Sequence, residues 1–372
     1  MQICAVVHGK NSIAFNSYFC IFIVLILDAA FLQKAPIHGR MITDNGRGGA
    51  LSMDHTENAY AAMLLTMALS PDREEYARPL STPEFRRVEA LARGSGFGSI
   101  GALLDVDISG LVMLLGLTEE EAYRVYTLLH RDVQLTYALG GFMEDRIEVV
   151  TQYDAEYPCR LTRTLKEAAP PFLYRCGDGA LTDQPAIAVL GISGVRTAPE
   201  ARRQIEALVD GATRQGYVVI TGGEPGVSRL AAGLAAEHGG RLVDILGGGL
   251  REHLKNNDIR AMLSEGRASV LSTEHPDALF TVNHAVARNK LLFALADAAF
   301  IFNTDGRRGE LDALARHACD WIYAWQDYAG NRPLLSRGAR PFHDFRDGDF
   351  EEMSRHWASS RAQQMDMFDL LG

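Results

Sequence analysis

Three apolar runs in the middle of the chain share one pattern, in which each run ends in glycine just before a helical pattern begins. The runs are Ile187–Leu190, Tyr217–Ile220 and Leu242–Leu246. Continuous runs of Val, Ile and Leu are typical of strands that are buried on both faces. The pattern therefore predicts a parallel sheet covered by helices, centred on residues 186–249.

The same alternation continues beyond residue 249. Strands are predicted over Ala268–Leu271, Ala299–Phe302 and Trp321–Trp325, and helices over Val282–Ala296 and Gly309–Ala318. About six strands that alternate with helices are typical of doubly wound folds. We therefore expect an α/β fold whose core, over residues 150–343, is an extended Rossmann-like, mainly parallel sheet.

A small all-helical domain is predicted before this core, over residues 53–149. Leu114–Leu117 places a glycine between apolar residues, and Thr118 with Glu121 forms a capping box for the next helix. This turn is similar to a helix-hairpin-helix or SAM-like unit, whose amides can hold a DNA phosphate. We favour the alternative, a packed helical hairpin, because the second helix opens with three glutamates that would repel phosphate.

Residues 1–52 differ from the rest of the chain and are expected to form a poorly ordered or apolar leader. The apolar run Tyr18–Leu27 is shorter than the roughly 20 residues that a membrane-spanning helix needs. It could instead be the apolar part of a signal peptide, because Lys10 precedes it. Two alternatives remain open: translation that starts at Met41 or Met53, and a hydrophobic arm without chemistry.

The net charge and the cysteine content limit the classes of protein to which this chain can belong. The formal net charge of the 372-residue chain is -10, which excludes a broadly basic nucleic-acid coat and restricts any phosphate-binding surface to a local patch. The five cysteines are odd in number and form no Cys-x-x-Cys pair, which fits the reducing cytoplasm. We expect a cytoplasmic protein without a metal site or a cofactor, and no association with membranes.

The loops at the carboxyl ends of the predicted strands are the candidate binding site. Ligands of doubly wound sheets bind there, because helix N-termini and free backbone amides favour an anion. Glycine lets the backbone approach a phosphate closely, although glycines that only allow tight turns give the same pattern. The candidate phosphate or DNA contacts are Gly191, Ser193, Gly194, Arg196, Gly222, Gly223, Gly226, Gly248, Arg288, Asn289, Lys290 and Arg307.

Arg288, Asn289 and Lys290 are consecutive in a predicted helix, so their side chains point in different directions. Among the three, Arg288 is expected to contact phosphate, because a guanidinium fork matches phosphate geometry. Arg307 and Arg308 would complete a local basic patch, or would lie in a solvated turn.

Several short motifs occur together between residues 154 and 339. They are Asp154-x-x-Tyr157-Pro158-x-x-Leu161, Pro170-Pro171-x-Leu173-Tyr174-x-x-Gly177, Leu246-Gly247-Gly248-Gly249-Leu250, Ser272-x-Glu274-x-Pro276, Arg288-Asn289-Lys290 and Gly330-Asn331-x-x-Leu334-Leu335-x-x-Gly338-Ala339. In order and spacing they resemble DNA-processing protein A, the DprA/Smf family. The resemblance implies a Rossmann-like domain that binds single-stranded DNA and loads RecA recombinase onto it, in natural transformation or related recombination. The resemblance also implies a homodimer, and it does not imply a catalytic activity.

The chain departs from the family pattern in its loops. The first loop of the family reads Gly-Ser-Arg, whereas here Gly191 and Arg196 are separated by four residues. Ser228 and Ala232 stand where the second loop of the family has Asp and His, and Lys290 replaces the final arginine of Arg-Asn-Arg. A lysine keeps the charge and loses the bidentate fork.

A second reading is a nucleotide-sensing or nucleotide-hydrolysing Rossmann-like protein of a signalling or defence system. Glu274 and Glu310 would be its candidate acid–base pair, although a glutamate at a helix start is also favoured by the helix dipole. Trp321 and Trp325 are expected in the core, so no aromatic residue is an evident platform for base stacking.

The last segment, residues 344–372, is predicted to be a polar linker with a C-terminal tail. Gln364-Met365-Asp366-Met367-Phe368 resembles the pentapeptide with which bacterial polymerases and repair proteins dock on the sliding clamp. In that case Gln364, Met367 and Phe368 would contact the clamp. The alternative is a short amphipathic helix that packs Phe368 and Leu371 onto the body of the protein.

Overall fold

The strands predicted from the apolar runs form the centre of a nine-stranded, mostly parallel sheet with helices on both faces. This fold is seen in a computed structural model that describes residues 56–70, 77–192, 198–304, 310, 319–346 and 349–369, with side chains up to residue 359. The predicted α/β class is confirmed. The predicted leader, including Tyr18–Leu27, lies outside the described residues. Of the helices described, none has the length and apolar character needed to cross a bilayer.

The strand order places the predicted central strands side by side. The strands are β1 (Glu148–Thr151), β2 (Phe172–Gly177), β3 (Ala186–Leu190), β4 (Val218–Thr221), β5 (Arg241–Leu246), β6 (Ala268–Ser272), β7 (Ala298–Ile301), β8 (Trp321–Trp325) and β9 (Arg340–Phe342). They are arranged as β1-β2-β6-β5-β4-β3-β7-β8-β9. Strand β2 pairs antiparallel with both β1 and β6, and the remaining pairs are parallel.

Among the described residues, five helices precede the sheet, in the region where the sequence predicts helices. They are α1 (Glu57–Thr66), α2 (Thr82–Gly94), α3 (Ile108–Leu115), α4 (Glu119–Leu129) and α5 (Asp132–Glu144). Thr118 and Glu121 form the predicted capping box at the start of α4, and Gly116 ends α3 in the left-handed conformation with φ 67°. A second capping box, Ser81 with Glu84, starts α2.

In the described part of the chain after β1, eight further helices lie between the strands or follow the last strand. They are α6 (Cys159–Leu165), α7 (Pro199–Arg214), α8 (Val227–Glu237), α9 (Leu250–His253), α10 (Asn257–Ser264), α11 (Val282–Leu295), α12 (Arg332–Ser336) and α13 (Asp349–Asp369). Helices α7, α8 and α13 bury apolar side chains against one face of the sheet, and α6, α11 and α12 against the other. The sheet is therefore covered on both faces, which explains its continuous apolar strands.

The five N-terminal helices share a hydrophobic core with the sheet. Phe85 and Leu111 belong to the same buried cluster as Tyr174 on β2 and Leu242 on β5. Residues 54–372 accordingly form one compact unit. The boundaries predicted for a separate helical domain, at residues 53 and 149, remain a prediction.

The C-terminal segment is helical over most of its length. The first half of α13 packs against the sheet, where Phe350 and Trp357 lie edge-on to Tyr217. Trp325 is buried, as predicted, and Trp321 is half-buried beneath the guanidinium of Arg340. The candidate clamp contacts lie in the second half of α13, where only the backbone is described, so docking on the clamp stays a prediction.

Candidate nucleic-acid interface

A cavity of about 580 Å³ opens at the carboxyl ends of β4 and β5, where the sequence places two of the glycine-rich loops. One wall is formed by Gly222–Pro225, which follow β4, and another by Gly247–Gly249, which follow β5. The segment from Ala278 to Phe280 also lines the cavity and contacts the second of these walls, where Gly249 N donates to Ala278 O. The predicted position of the site, beyond the carboxyl ends of parallel strands, therefore coincides with a real concavity.

The glycines of these loops are required by close packing. A Cβ at Gly249 would lie 2.1 Å from the carbonyl oxygen of Pro276, and a Cβ at Gly223, whose φ is +73°, would lie 2.6 Å from Leu246. The amide of Gly249 donates to Ala278 O at 2.8 Å, and that of Gly223 donates to Thr221 Oγ1 at 3.1 Å. These two amides are thus engaged within the protein, which agrees with the tight-turn alternative at both positions.

A chain of hydrogen bonds crosses the floor of the cavity. The hydroxyl of Thr221 donates to one carboxylate oxygen of Asp244, and His253 Nε2 lies 2.8 Å from the other. Asp244 is fully buried on β5, while the side chain of His253 is 18% exposed and lines the cavity. An acidic residue inside an otherwise apolar strand is costly unless it is hydrogen-bonded, and here both of its oxygens are.

Arg288 lies outside this cavity, in a narrow crevice between Gly191 and Gly222 that it shares with Asn289 and Glu310. Its guanidinium donates to Glu224 and, at 2.7 Å, to Ile245 O, and its side chain is 4% exposed. A Cβ at Gly222 would overlap this guanidinium, which explains the glycine. Arg288 therefore reaches a phosphate only if Glu224 is displaced.

Lys290 points into a different space, a cavity of about 680 Å³ between the N-terminal helices and the sheet. Its ammonium donates to Ala168 O at 3.1 Å, and desolvation lowers its pKa. Glu274 lines the same cavity, while Glu310 lines the crevice of Arg288, so the two carboxylates of the proposed acid–base pair lie in different spaces.

The first glycine loop begins at Gly191, where Ile192 N donates to Asn303 Oδ1 at 2.7 Å. This bond joins the end of β3 to the loop after β7, at the point where the strand order reverses. Gly226 lies at the N-terminus of α8 with φ +105°. Ser193, Gly194, Arg196 and Arg307 lie outside the described residues, so their predicted roles stay predictions.

The comparisons with known proteins agree with the fold and with the family that the motifs resemble. The family described as DNA recombination-mediator protein A matches residues 148–342, which is just over half of the chain. The chain belongs to this family. The match begins at β1 and ends at β9, so it covers the whole sheet and leaves out the five N-terminal helices and α13. A search of curated proteins finds no match.

One solved structure of DNA processing protein A resembles the chain in fold, and other structures match it with lower TM-scores. DNA processing protein A from Streptococcus pneumoniae has 17% sequence identity and a TM-score of 0.52, over 71% of this chain and 95% of that one. The protein from Helicobacter pylori, described by its single-stranded DNA binding mode, has 19% identity and a TM-score of 0.46, over 57% and 97%. The molybdenum cofactor carrier protein of Chlamydomonas reinhardtii has 17% identity and a TM-score of 0.33, over 46% and 97%.

Further residues that the sequence alone does not assign to binding lie at the mouth of the large cavity. Phe280 is 47% exposed and its neighbour Leu279 is 85% exposed, which is unusual for large apolar side chains beside a cavity. Arg229, on the first turn of α8, is exposed and lines the same cavity, as does Lys255, which pairs with Glu252 at 2.6 Å. The sequence signal for Phe280 is its place beside the Ser-x-Glu-x-Pro motif.

Proposed function

We propose that this protein is a recombination mediator that binds single-stranded DNA at the large cavity. The observation that carries the proposal is the lining of that cavity, which combines an exposed aromatic ring, Phe280, with the exposed cations Arg229 and Lys255. Single-strand binding commonly combines aromatic rings that stack on bases with cations that follow the backbone. The likeness in sequence to the recombination-mediator family supports the same assignment.

The shape of the site favours single strands over a duplex. A cavity of about 580 Å³ accommodates a splayed nucleotide, whereas bases inside a duplex are stacked and cannot enter it. Arg196 and Arg307, which follow β3 and β7 in the sequence, are proposed as further phosphate contacts.

A salt titration with a labelled 20-nucleotide single strand of mixed sequence, read by fluorescence anisotropy, tests the proposal. We expect the affinity to fall with rising salt, because phosphate contacts release counterions, and duplex DNA of the same length to compete poorly. The Arg229→Ala and Lys255→Ala variants should each weaken binding and flatten the salt slope. Arg203→Ala, on the exposed side of α7, is the matched control. Binding that is absent at 50 mM salt would refute the proposal.

The finer role that we propose is loading of a RecA-type recombinase, with the protein acting as a homodimer in the cytoplasm. Strand exchange by the recombinase on DNA coated with single-strand-binding protein should begin sooner when the protein is added. A variant that no longer binds DNA should lose this effect. Equal rates of strand exchange with and without the protein would contradict the mediator role without contradicting DNA binding.

A second candidate is a protein that senses or hydrolyses mononucleotides. The hydrogen-bonded His253 and Asp244 on the cavity floor favour it, because such a pair holds an imidazole in a fixed orientation for contact with a ligand. A thermal shift with mononucleotides, together with weak DNA binding that is insensitive to salt, would support this candidate over the first.

A further inference from the structure

The hydrogen-bond chain on the cavity floor determines which nitrogen of His253 faces the ligand. Gly223 N donates to Thr221 Oγ1, so the proton of that hydroxyl is directed to Asp244. The second oxygen of Asp244 then accepts from His253 Nε2, which must carry the proton. A neutral His253 in this tautomer has Nδ1 as a hydrogen-bond acceptor.

Nδ1 is the nitrogen left for a ligand. Among the described residues, Asp244 is the only hydrogen-bond partner of the His253 side chain. The ring edge that carries Nδ1 and Cε1 faces Gly223, where a Cβ would lie 3.0 Å from Cε1 and 3.3 Å from Nδ1. The glycine at this position therefore keeps the edge uncovered, on the wall of the cavity.

The charges around the cavity place a phosphate at its mouth and not on its floor. Asp244 is buried on the cavity floor and Glu224 lines its inner wall while paired with Arg288, whereas Glu252, which pairs with Lys255, and Asp258 are exposed at the rim. Carboxylates repel a phosphate and accept hydrogen bonds from amino groups. The two cations of the lining are Arg229 on α8 and Lys255 after α9, both exposed at the rim.

We infer that a nucleobase enters this cavity with its phosphate at the rim, and that His253 Nδ1 accepts a hydrogen bond from the exocyclic amino group of that base. This inference rests on the proposed single-stranded DNA binding. It assigns His253 as a specificity-determining residue, which favours bases with an amino group over thymine and uracil. Asp244 is a positioning residue, because it acts on the ligand only through the imidazole.

Two oligonucleotides that differ at the C4 and N3 positions of the base test the inference with the unmodified protein. The probes are labelled dC20 and dU20 at pH 8, because cytosine has an amino donor on C4 and an acceptor at N3, whereas uracil has an oxygen on C4 and its only base N–H at N3, so the two place their donors differently. We expect dC20 to bind about five-fold more tightly than dU20, which is the range of one net hydrogen bond. Equal affinities would overturn the inference while leaving DNA binding in place, whereas failure to bind either oligonucleotide would refute the proposed function itself.

The variant His253→Phe keeps a ring and removes both nitrogens. It should bind dC20 and dU20 with equal affinity, while His343→Gln, an exposed histidine away from the cavity, should keep the preference. If His253→Phe lowers the affinity for both oligonucleotides by the same factor, His253 contacts phosphate, and base recognition is overturned.

Nitrogen NMR of the free protein provides a readout that does not depend on the folding of a variant. We expect the His253 signals to show a protonated Nε2 and an unprotonated Nδ1 at pH 8. An Nδ1–H tautomer would overturn the inference, because that nitrogen would then be a donor and could not accept from an amino group.

Discussion

Arg288 and Glu224 form an ion pair whose side chains are only 4% and 12% exposed. Removing one partner of a buried pair leaves the other charge without compensation, which is far more costly than removing an exposed pair. At least one residue of the Arg-Asn-Lys motif, Arg288, therefore stabilises the folded structure of the site. Whether Arg288 also contacts phosphate depends on whether DNA displaces Glu224.

We expect Arg288→Ala to lower the free energy of unfolding by about 3–5 kcal/mol, because Glu224 would be left buried and unpaired. Urea denaturation followed by circular dichroism measures the change. The double variant Arg288→Ala with Glu224→Gln should recover part of the loss. A stable Arg288→Ala protein that has lost DNA binding would instead identify Arg288 as a direct phosphate contact.

Phe280→Ala should weaken binding of single-stranded DNA by about 1–3 kcal/mol, the range for one base stacked on an aromatic ring. Because the ring is 47% exposed, the stability of the protein should change little. Anisotropy titration measures the affinity, and Tyr137→Ala, an aromatic residue 77% exposed on α5, is the control. An unchanged affinity would show that the ring does not stack on a base.

The residues that sequence reasoning missed depend on contacts between distant parts of the chain. The glycine loops could be predicted because a strand that ends in glycine is a local signal. Glu224 is 64 positions from Arg288, and nothing in either neighbourhood indicates the pair. Likewise, the sequence around Asp244 does not show that its carboxylate meets His253, since that contact depends on the direction of α9.

Helices α2 and α4 are joined by their capping boxes. Glu84, which caps α2, accepts hydrogen bonds from Arg124 on α4, and Glu121, which caps α4, accepts from Arg87 on α2. Each glutamate therefore serves its own helix and holds the neighbouring one. The sequence predicts the capping box of α4, but the exchange between the helices requires their packing.

The pKa of Glu121 should make the contact between α2 and α4 sensitive to acid. The hydrogen bond from Arg87, followed by that from the Thr118 amide, lowers this pKa from 4.5 to about 2. A lowered carboxyl pKa adds stability above pH 4.5 that is lost as the pH falls towards 2. We expect the difference in urea midpoint between the unmodified protein and Glu121→Gln to shrink over that range.

The control for this titration is Glu119→Gln, at the first position of the same helix. Glu119 forms no ion pair among the described residues. The difference in urea midpoint between the unmodified protein and Glu119→Gln should therefore not shrink as the pH falls from 4.5 towards 2. If the midpoint difference of Glu121→Gln stays constant from pH 5 to pH 2, the contact with Arg87 does not form in solution.

On the scale of the molecule, the N-terminal helices and the sheet form one unit because they share a core. The sequence predicts both parts, since helical spacing and continuous apolar runs are distinct patterns. It does not predict their common core, because the side chains of β2 that join it, Phe172 and Tyr174, follow a double proline in a short extended segment. The edge strands β1 and β9 are too short to give a pattern of their own.

The shared core predicts that both parts unfold together. All three tryptophans, Trp321, Trp325 and Trp357, lie in the second part of the chain, whereas far-ultraviolet circular dichroism also reports the N-terminal helices. Urea transitions followed by tryptophan fluorescence and by circular dichroism should therefore coincide. Two separate transitions would show that the helices are an independent domain, with boundaries near those predicted from the sequence.

On helix α11, Arg288 lines the narrow crevice and Lys290 lines the cavity between the N-terminal helices and the sheet, although only one residue separates them in the sequence. A triple alanine replacement of residues 288–290 would therefore break a buried ion pair and, at the same time, remove a side chain from the lining of a second cavity. Its phenotype would be a sum of unrelated effects. Genetic dissection of this motif consequently requires single replacements, each scored for protein abundance before it is scored for recombination.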